Sequence, residues 1–329
     1  MTSAPRRRRT RQVLVAFVAL ALTGALVGVV AVSTDALGAG KLFDRAVAKV
    51  DRFLAGPVPD RSAPDTVLVT DPPGVVEPAD PPEDSSPPDA SPPDVSPSVV
   101  PTSGPLPTPV PAPSATARPL PARVAVDIDI VKDHQAVFAH ELKITWCVPA
   151  GIQSTLAILG LGDTSHAFQR TIQNRVHEFE SLRDSRNGGW GPSALALALD
   201  AYGAKGYEVR SYQTRQAALR DAAKSLVRTH SPVLLMAWYG AHTWVMTGFR
   251  ATADPTIFSN ATITGTYILD PWYPDNSSIW GQSDPPGTFQ DNAEMIRNYL
   301  RWRRPEGHYP QRDGLYIAVV PTIKAGSAQ

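Results

Sequence analysis

The sequence is poor in cysteine, and its first 145 residues contain no tryptophan or tyrosine. The chain of 329 residues has one cysteine, which excludes an intrachain disulfide framework and a cysteine-rich zinc site. All seven Trp and all nine Tyr residues lie at or after Trp146. Because aromatic side chains contribute much of the surface that a core buries, we expect one folded domain in the last ~200 residues.

Charged residues are absent from Val13 to Val32, directly after the arginine-rich residues 6–11. About twenty apolar residues of helix span a bilayer, and preceding arginines keep the N-terminus in the cytoplasm. This pattern predicts a basic cytoplasmic tail (1–12) and a transmembrane anchor (13–34). The protein would then be a single-pass protein of the cell membrane with an extracytoplasmic C-terminal domain. A cleaved signal sequence, which would release a secreted protein, is the alternative.

Two segments join the apolar run to the aromatic-rich part of the chain. In residues 35–56, apolar side chains recur with helical spacing, which predicts a juxtamembrane helix. Residues 57–122 contain 21 of the 33 prolines and nine acidic residues against two arginines. This composition predicts a disordered linker that reaches at most ~200 Å at ~3.1 Å per residue. Such a spacer makes cell-wall components candidate partners.

Residues 123–328 carry the patterns of a folded domain. Helical periodicity comes first, and β-rich runs follow. The predicted helices are 147–161, 163–182, 194–202, 214–229 and 289–302, and the predicted strands are 233–239, 243–249, 264–270 and 315–320. Helices followed by a mostly antiparallel sheet predict an α+β domain.

The single cysteine lies where a helix is predicted to begin. Pro149 is tolerated only in a first helical turn, so Cys147 lies at the helix N-terminus, where the dipole favours a thiolate. A nucleophilic cysteine also needs a base and a group that orients the base. His242 opens one predicted strand and Asp270 ends the next. If these strands are antiparallel neighbours, the two side chains meet, which predicts a Cys147–His242–Asp270 triad.

Four blocks of residues between about 135 and 322 resemble C39-like cysteine peptidases, which have a papain-like fold. The resemblance implies that Cys147 is the nucleophile, His242 the general base and acid, and Asp270 the residue that orients His242. The matching residues are Trp146-Cys147-Val148-Pro149-Ala150 with Gln153, Gly189-Trp190-Gly191-Pro192-Ser193 with Leu195, Leu199 and Tyr202-Gly203, Pro232-Val233-Leu234 with His242-Thr243-Trp244-Val245 and Gly248, and Asp270-Pro271.

The chain departs from this family beside the nucleophile. The family usually has a glutamine about six residues before the cysteine, where its amide helps to form the oxyanion hole, and this chain has Glu141. A carboxylate would repel a developing oxyanion. A shifted alignment makes Gln135 or Lys143 the donor instead, and His140 is a further candidate. Val148 also replaces a glycine that is frequent in the family.

The sequence therefore predicts an extracytoplasmic cysteine peptidase or amide hydrolase that acts on a peptide or protein through an acyl-thioester. Two alternatives stay open, a catalytically inactive binding or scaffolding domain at the cell surface and an acyl transferase with the same triad. The sequence has no glycine-rich phosphate loop with lysine, and its His-Glu pairs lack the second histidine of a zincin motif. We expect no cofactor, no metal ion and no nucleic-acid partner.

Overall fold

The structure is a computed structural model. It describes residues 43, 46, 47, 49, 50, 53, 54, 58, 64–70, 121–185, 189–277, 279–303 and 307–324. The predicted tail (1–12) and anchor (13–34) lie outside these residues. The described residues of the predicted juxtamembrane helix are helical.

From residue 64 onward, the described residues form ten strands and seven α-helices. The strands are β1 (Val67–Val69), β2 (Val126–Asp129), β3 (Tyr207–Tyr212), β4 (Val233–Ala237), β5 (His242–Ala251), β6 (Ile263–Leu269), β7 (Asn276–Ser277), β8 (Gly281–Gln282), β9 (Thr288–Asp291) and β10 (Tyr316–Pro321). The helices are α1 (His134–Val137), α2 (Cys147–Ile158), α3 (His166–Asn174), α4 (Val176–Phe179), α5 (Pro192–Ala201), α6 (Arg215–Thr229) and α7 (Asn292–Asn298).

One eight-stranded sheet organises the domain. Its strands follow the order β1-β3-β10-β4-β5-β6-β9, and β2 also pairs with β5. The strand β5 is long enough for β4 to pair with its first half and β2 with its second half. All pairs in this sheet are antiparallel except β1 with β3.

Helices cover both faces of the sheet. Alternate residues of β4 belong to opposite cores: Leu234 and Met236 pack with α2 and α5, whereas Val233 and Leu235 pack with α6 and α7. Side chains alternate between the two faces of a strand, so a strand buried on both faces is apolar throughout. This burial explains why β4 reads as an unbroken run of apolar residues.

The prediction of an α+β domain, with helices first and an antiparallel sheet afterwards, was wrong. The fold is a mixed α/β arrangement in which β2 precedes the helices and β3 lies between α5 and α6. Polar residues hid these strands, since Asp127 and Asp129 interrupt β2, while Glu208 and Arg210 interrupt β3. The predicted helix 289–302 is also shorter. Its first residues belong to β9, and Asp291 caps α7 with its carboxylate.

Part of the predicted disordered linker is ordered on the domain. Val67–Val69 pair in parallel with Arg210–Tyr212 at the edge of the sheet. The carbonyl of Pro64 accepts a hydrogen bond from the Ser193 hydroxyl, and the Thr66 hydroxyl accepts one from Arg312. The proline count misled the prediction because residues 65–70 contain no proline, and three successive residues with strand propensity are enough to pair with an edge.

A transmembrane helix ahead of the domain was also part of the predicted fold, and the structure does not support it. Within the described ranges, no helix combines the length and the apolar character that a membrane crossing requires.

Candidate active site

Cys147 is the first residue of α2, as Pro149 predicts. The preceding residue, Trp146, accepts the first helical hydrogen bond, which Ala150 donates at 3.0 Å. Cys147 is half-buried as a residue, and the next three residues are buried. The backbone of the first helical turn thus holds the sulfur at a fixed point beside the sheet.

His242 and Asp270 meet at adjacent strand ends. His242 is the first residue of β5, and Asp270 directly follows the last residue of β6, the antiparallel neighbour of β5. The two atoms His242 Nε2 and Asp270 Oδ1 are 2.6 Å apart. Asp270 Oδ1 also accepts a hydrogen bond from the Trp272 backbone amide at 2.9 Å. Both side chains are buried, so this pair is shielded from solvent.

A tight turn positions the imidazole from the other side. Trp238, Tyr239 and Gly240 all have positive φ, at 51°, 59° and 86°. Two consecutive non-glycine residues in the left-handed region are costly, and such strain is concentrated at functional sites. The Trp238 ring stacks on His242 at 4.2 Å between centroids, and its Nε1 donates to Asn298. Sequence reasoning did not single out Trp238 as a positioning residue, since nothing in the sequence reports a positive φ.

Glu141 completes the cluster. One oxygen of its carboxyl group, the Cys147 sulfur and a ring nitrogen of His242 all lie within 4.8 Å of one another. The side chain of Glu141 is 3 % exposed. Its position six residues before the cysteine therefore places the carboxyl group inside the site.

The backbone on both sides of Glu141 is anchored. The Glu141 amide donates to the Pro271 carbonyl at 2.9 Å, and His140 Nδ1 donates to the Tyr273 carbonyl at 2.7 Å. These bonds tie the segment to the loop that follows Asp270. The histidine suggested as an oxyanion donor is therefore engaged with this loop.

Gln169 of α3 anchors the same segment from the opposite side. Its Oε1 accepts a hydrogen bond from the Leu142 amide, and its Nε2 donates to the His140 carbonyl and to Gln153 Oε1. Gln169 is 1 % exposed. Sequence reasoning missed this residue. The only signal in the sequence was weak: Gln169 lies at a position of an amphipathic helix that faces the core.

The structure does not bring the two shifted oxyanion candidates into the buried cluster. Gln135 is exposed on α1. The Lys143 ammonium lies 5.5 Å from the centroid of the Trp146 ring. Of the three predicted positions, only Glu141 accompanies Cys147 and His242.

Burial controls the electrostatics of the site. It raises the pKa of the Cys147 thiol, and the Glu141 charge raises it further, while hydrogen bonds from the Thr243 and Val148 amides lower it only in part. This direction is opposite to the lowering that the helix N-terminus predicts, because burial outweighs the hydrogen bonds of the backbone amides. Burial, followed by the charges of Asp270 and Asp275, raises the pKa of Glu141 well above 4.5.

Comparison with known proteins does not assign the chain to a family. No protein-family model matches it, and no curated protein matches it. Among solved structures, it is similar to a double-glycine motif protease of an AMS/PCAT transporter, crystallised with the leader peptide. The two chains are 14 % identical, and the match covers 60 % of this chain and 99 % of that protease, with a TM-score of 0.29.

That neighbour is a protease. A likeness this low carries no argument about the fold or the activity of this chain, so the resemblance of the sequence motifs to C39-like cysteine peptidases stays a prediction.

The raised pKa of Glu141 predicts a pH-dependent stability that Glu141→Gln removes. Between pH 4.5, the usual pKa of this carboxyl group, and its raised pKa, the folded state holds a proton that the unfolded state has lost. The free energy of unfolding then falls as pH rises, by up to about 1.4 kcal/mol per pH unit. Urea unfolding of the wild type and Glu141→Gln from pH 5 to pH 8 measures the difference. Parallel pH profiles of the two proteins would contradict the expectation.

Proposed function

We propose that this protein is a cysteine-dependent amide hydrolase, a peptidase in the simplest case, with Cys147 as nucleophile, His242 as base and acid, and Asp270 as the group that orients His242. The hydrogen bond of 2.6 Å between His242 Nε2 and Asp270 Oδ1 carries this proposal. Because Nε2 is bound to a carboxylate, Nδ1 is the ring nitrogen that remains to accept a proton from the thiol.

The raised pKa of the thiol fixes the order of the first step. Cys147 rests as a neutral thiol, so its proton passes to His242 as the sulfur–carbon bond forms, and the carbonyl electron pair moves to oxygen. Collapse of the tetrahedral intermediate breaks the carbon–nitrogen bond, and the imidazolium gives its proton to the amine. Water, deprotonated by His242, then cleaves the acyl-thioester and restores the thiol.

Peptides or proteins are the proposed substrates, since an amide bond is what this chemistry cleaves. The solved neighbour is a protease in complex with a leader peptide, and that description belongs to the neighbour.

A catalytically inactive binding domain is the second candidate. The burial of Cys147 and the raised pKa of its thiol favour it, because both oppose a reactive sulfur. The two candidates differ in one measurable property, the dependence of Cys147 reactivity on the neighbouring His–Asp pair.

Asp270→Ala tests the proposal directly. Alanine has no oxygen to accept the Nε2 proton, so His242 loses the partner that holds its tautomer and its orientation toward Cys147. We expect the rate of Cys147 alkylation by iodoacetamide at pH 7 to fall by about 10²-fold, the lower range of a positioned base. Mass spectrometry of the single cysteine in the full chain measures this rate.

A second His–Asp pair supplies the matched control. His134 Nε2 lies 2.9 Å from Asp129 Oδ2 and 3.4 Å from the Thr247 hydroxyl oxygen in the middle of β5, and the pair is outside the cluster. Asp129→Ala is expected to leave alkylation unchanged. Equal rates in Asp270→Ala and the wild type would contradict the catalytic proposal and favour the binding domain.

A further inference from the structure

The Glu141 carboxyl group is buried without compensation. Within the described part of the chain, neither of its oxygens has a hydrogen-bond partner, although both are inaccessible to solvent. An ionised carboxylate in that position is strongly destabilised, whereas a neutral carboxyl group is tolerated. The buried carboxyl group therefore either only destabilises the fold or is positioned to form a hydrogen bond with a bound molecule.

The groups that face Glu141 come from every element around it. Cys147 lies at the start of α2, and His242 opens β5. Asp270 directly follows β6, and Asp275 lies in the loop after it; the charges of these two carboxylates act on Glu141. His140, its chain neighbour, is bound to the carbonyl of residue 273. Low solvent access and, after it, the two carboxylates favour the protonated form of Glu141.

A protonated carboxyl group has the hydrogen-bonding character that the site needs. It carries one O–H donor, which an ionised carboxylate lacks. A carboxylic acid kept neutral by an apolar site can stabilise an oxyanion. The donor must lie about 2.7–3.1 Å from the oxyanion position. One Glu141 oxygen lies within 4.8 Å of the Cys147 sulfur, which is close enough for its O–H group to reach an oxyanion on a carbon bound to that sulfur.

We propose that Glu141, as a neutral carboxylic acid, is a catalytic residue that donates its O–H hydrogen bond to the oxyanion formed when Cys147 attacks a carbonyl group. This inference rests on the proposed function, since it assigns one more group to the same reaction. The proton stays on Glu141 as the carbonyl electron pair moves to oxygen, and the bond weakens again when the intermediate collapses. A neutral Glu141 also removes one of the two charges that oppose ionisation of the thiol.

Two reactions of the same sulfur separate this role from the reactivity of the thiol. Acylation of Cys147 by p-nitrophenyl acetate passes through an oxyanion, whereas alkylation by iodoacetamide does not. Both rates are measured on the full chain from pH 5 to pH 9, before and after EDTA treatment, in the wild type, Glu141→Gln and Glu141→Ala. The ratio of acylation to alkylation reports the oxyanion site alone.

We expect Glu141→Ala to lower the ratio of acylation to alkylation by about 10²–10³-fold at pH 6. Glu141→Gln keeps a donor and should retain the wild-type ratio at pH 6. In the wild type the ratio should fall as pH rises through the pKa of Glu141, because ionisation removes the donor. In Glu141→Gln the ratio should stay constant with pH. A purely structural role of Glu141 would leave the wild-type ratio constant with pH as well.

Each other outcome overturns the proposal. An unchanged ratio in Glu141→Ala, or a higher ratio in Glu141→Gln at neutral pH, would show that Glu141 is idle or repulsive. If Glu141→Ala does not fold, a wild-type ratio without pH dependence is sufficient to reject the role. A ratio altered by EDTA would mean that a cation, and not a proton, neutralises the carboxyl group. If alkylation does not depend on Asp270, the proposed function itself fails, and that result is distinct from the others.

Discussion

Replacing Arg312 with methionine is expected to lower the free energy of unfolding by about 3–5 kcal/mol. The Arg312 and Asp184 side chains are 1 % and 0 % exposed, and their Nη2 and Oδ1 atoms are 2.7 Å apart. Arg312 also donates to the Asp184 carbonyl and the Ser193 hydroxyl. The Asp184 carboxylate accepts the Ser193 and Ala194 amides at the start of α5. Without Arg312, a buried charge remains unpaired at that helix end.

Urea unfolding of the full chain measures this loss, and an exposed ion pair is the control. Arg297 pairs with Glu294 on α7, and its side chain is 57 % exposed. Arg297→Met should cost no more than about 1 kcal/mol, the upper range for a surface pair. Arg312→Met and Arg297→Met remove the same charge and leave the same side chain. Similar losses in the two variants would show that the buried pair contributes no more than an exposed one.

Replacing His242 with alanine is expected to slow acylation of Cys147 by about 10³–10⁴-fold at pH 7. Burial keeps the thiol neutral, so the sulfur depends on a base at the moment of attack. His242 is the base in the cluster, and Asp270 holds it through Nε2. The rate of p-nitrophenolate release from p-nitrophenyl acetate gives the measurement, with Cys147→Ser defining the background.

Loss of the ring also removes its stack on Trp238, so stability must be measured in parallel. His242→Gln keeps most of the volume but not the base, and it should show the same loss of rate. His134→Ala removes the other aspartate-bound histidine and should leave acylation unchanged. An acylation rate that survives in both His242 variants would exclude the histidine as the base.

The sequence predicted that Cys147 begins a helix and that His242 meets Asp270, because strong local signals mark each position. Pro149 fixes the start of α2, and apolar runs define β4 and β5 around His242. Strands that follow one another and pair antiparallel then bring His242 to Asp270. These are consequences of backbone geometry and of hydrophobic patterning, which a sequence displays directly.

The sequence did not predict the pKa shifts of Cys147 and Glu141. The pKa of Cys147 depends first on how far the folded chain buries it, and the pKa of Glu141 is raised first by burial and then by carboxylates more than a hundred residues away. The same limit applies to β3, whose charged residues Glu208 and Arg210 mask a strand that tertiary pairing selects. Burial and long-range pairing are properties of the folded chain, and periodicity reports them only when the polar residues alternate cleanly.

The pairing of β1 with β3 changes the length of the proline-rich tether. Residues 70–122 now begin at one point of the sheet and end at another, since β1 precedes them and β2 follows them. Because they connect two strands of the same sheet, they add nothing to the distance between the sheet and residue 57. Between residue 57 and the described residue 64 there are only residues 57–63, which can reach at most about 20 Å at ~3.1 Å per residue, in place of ~200 Å. Release of β1, which has three residues, would therefore extend the reach of the proline-rich segment roughly tenfold, and only a few hydrogen bonds would be lost.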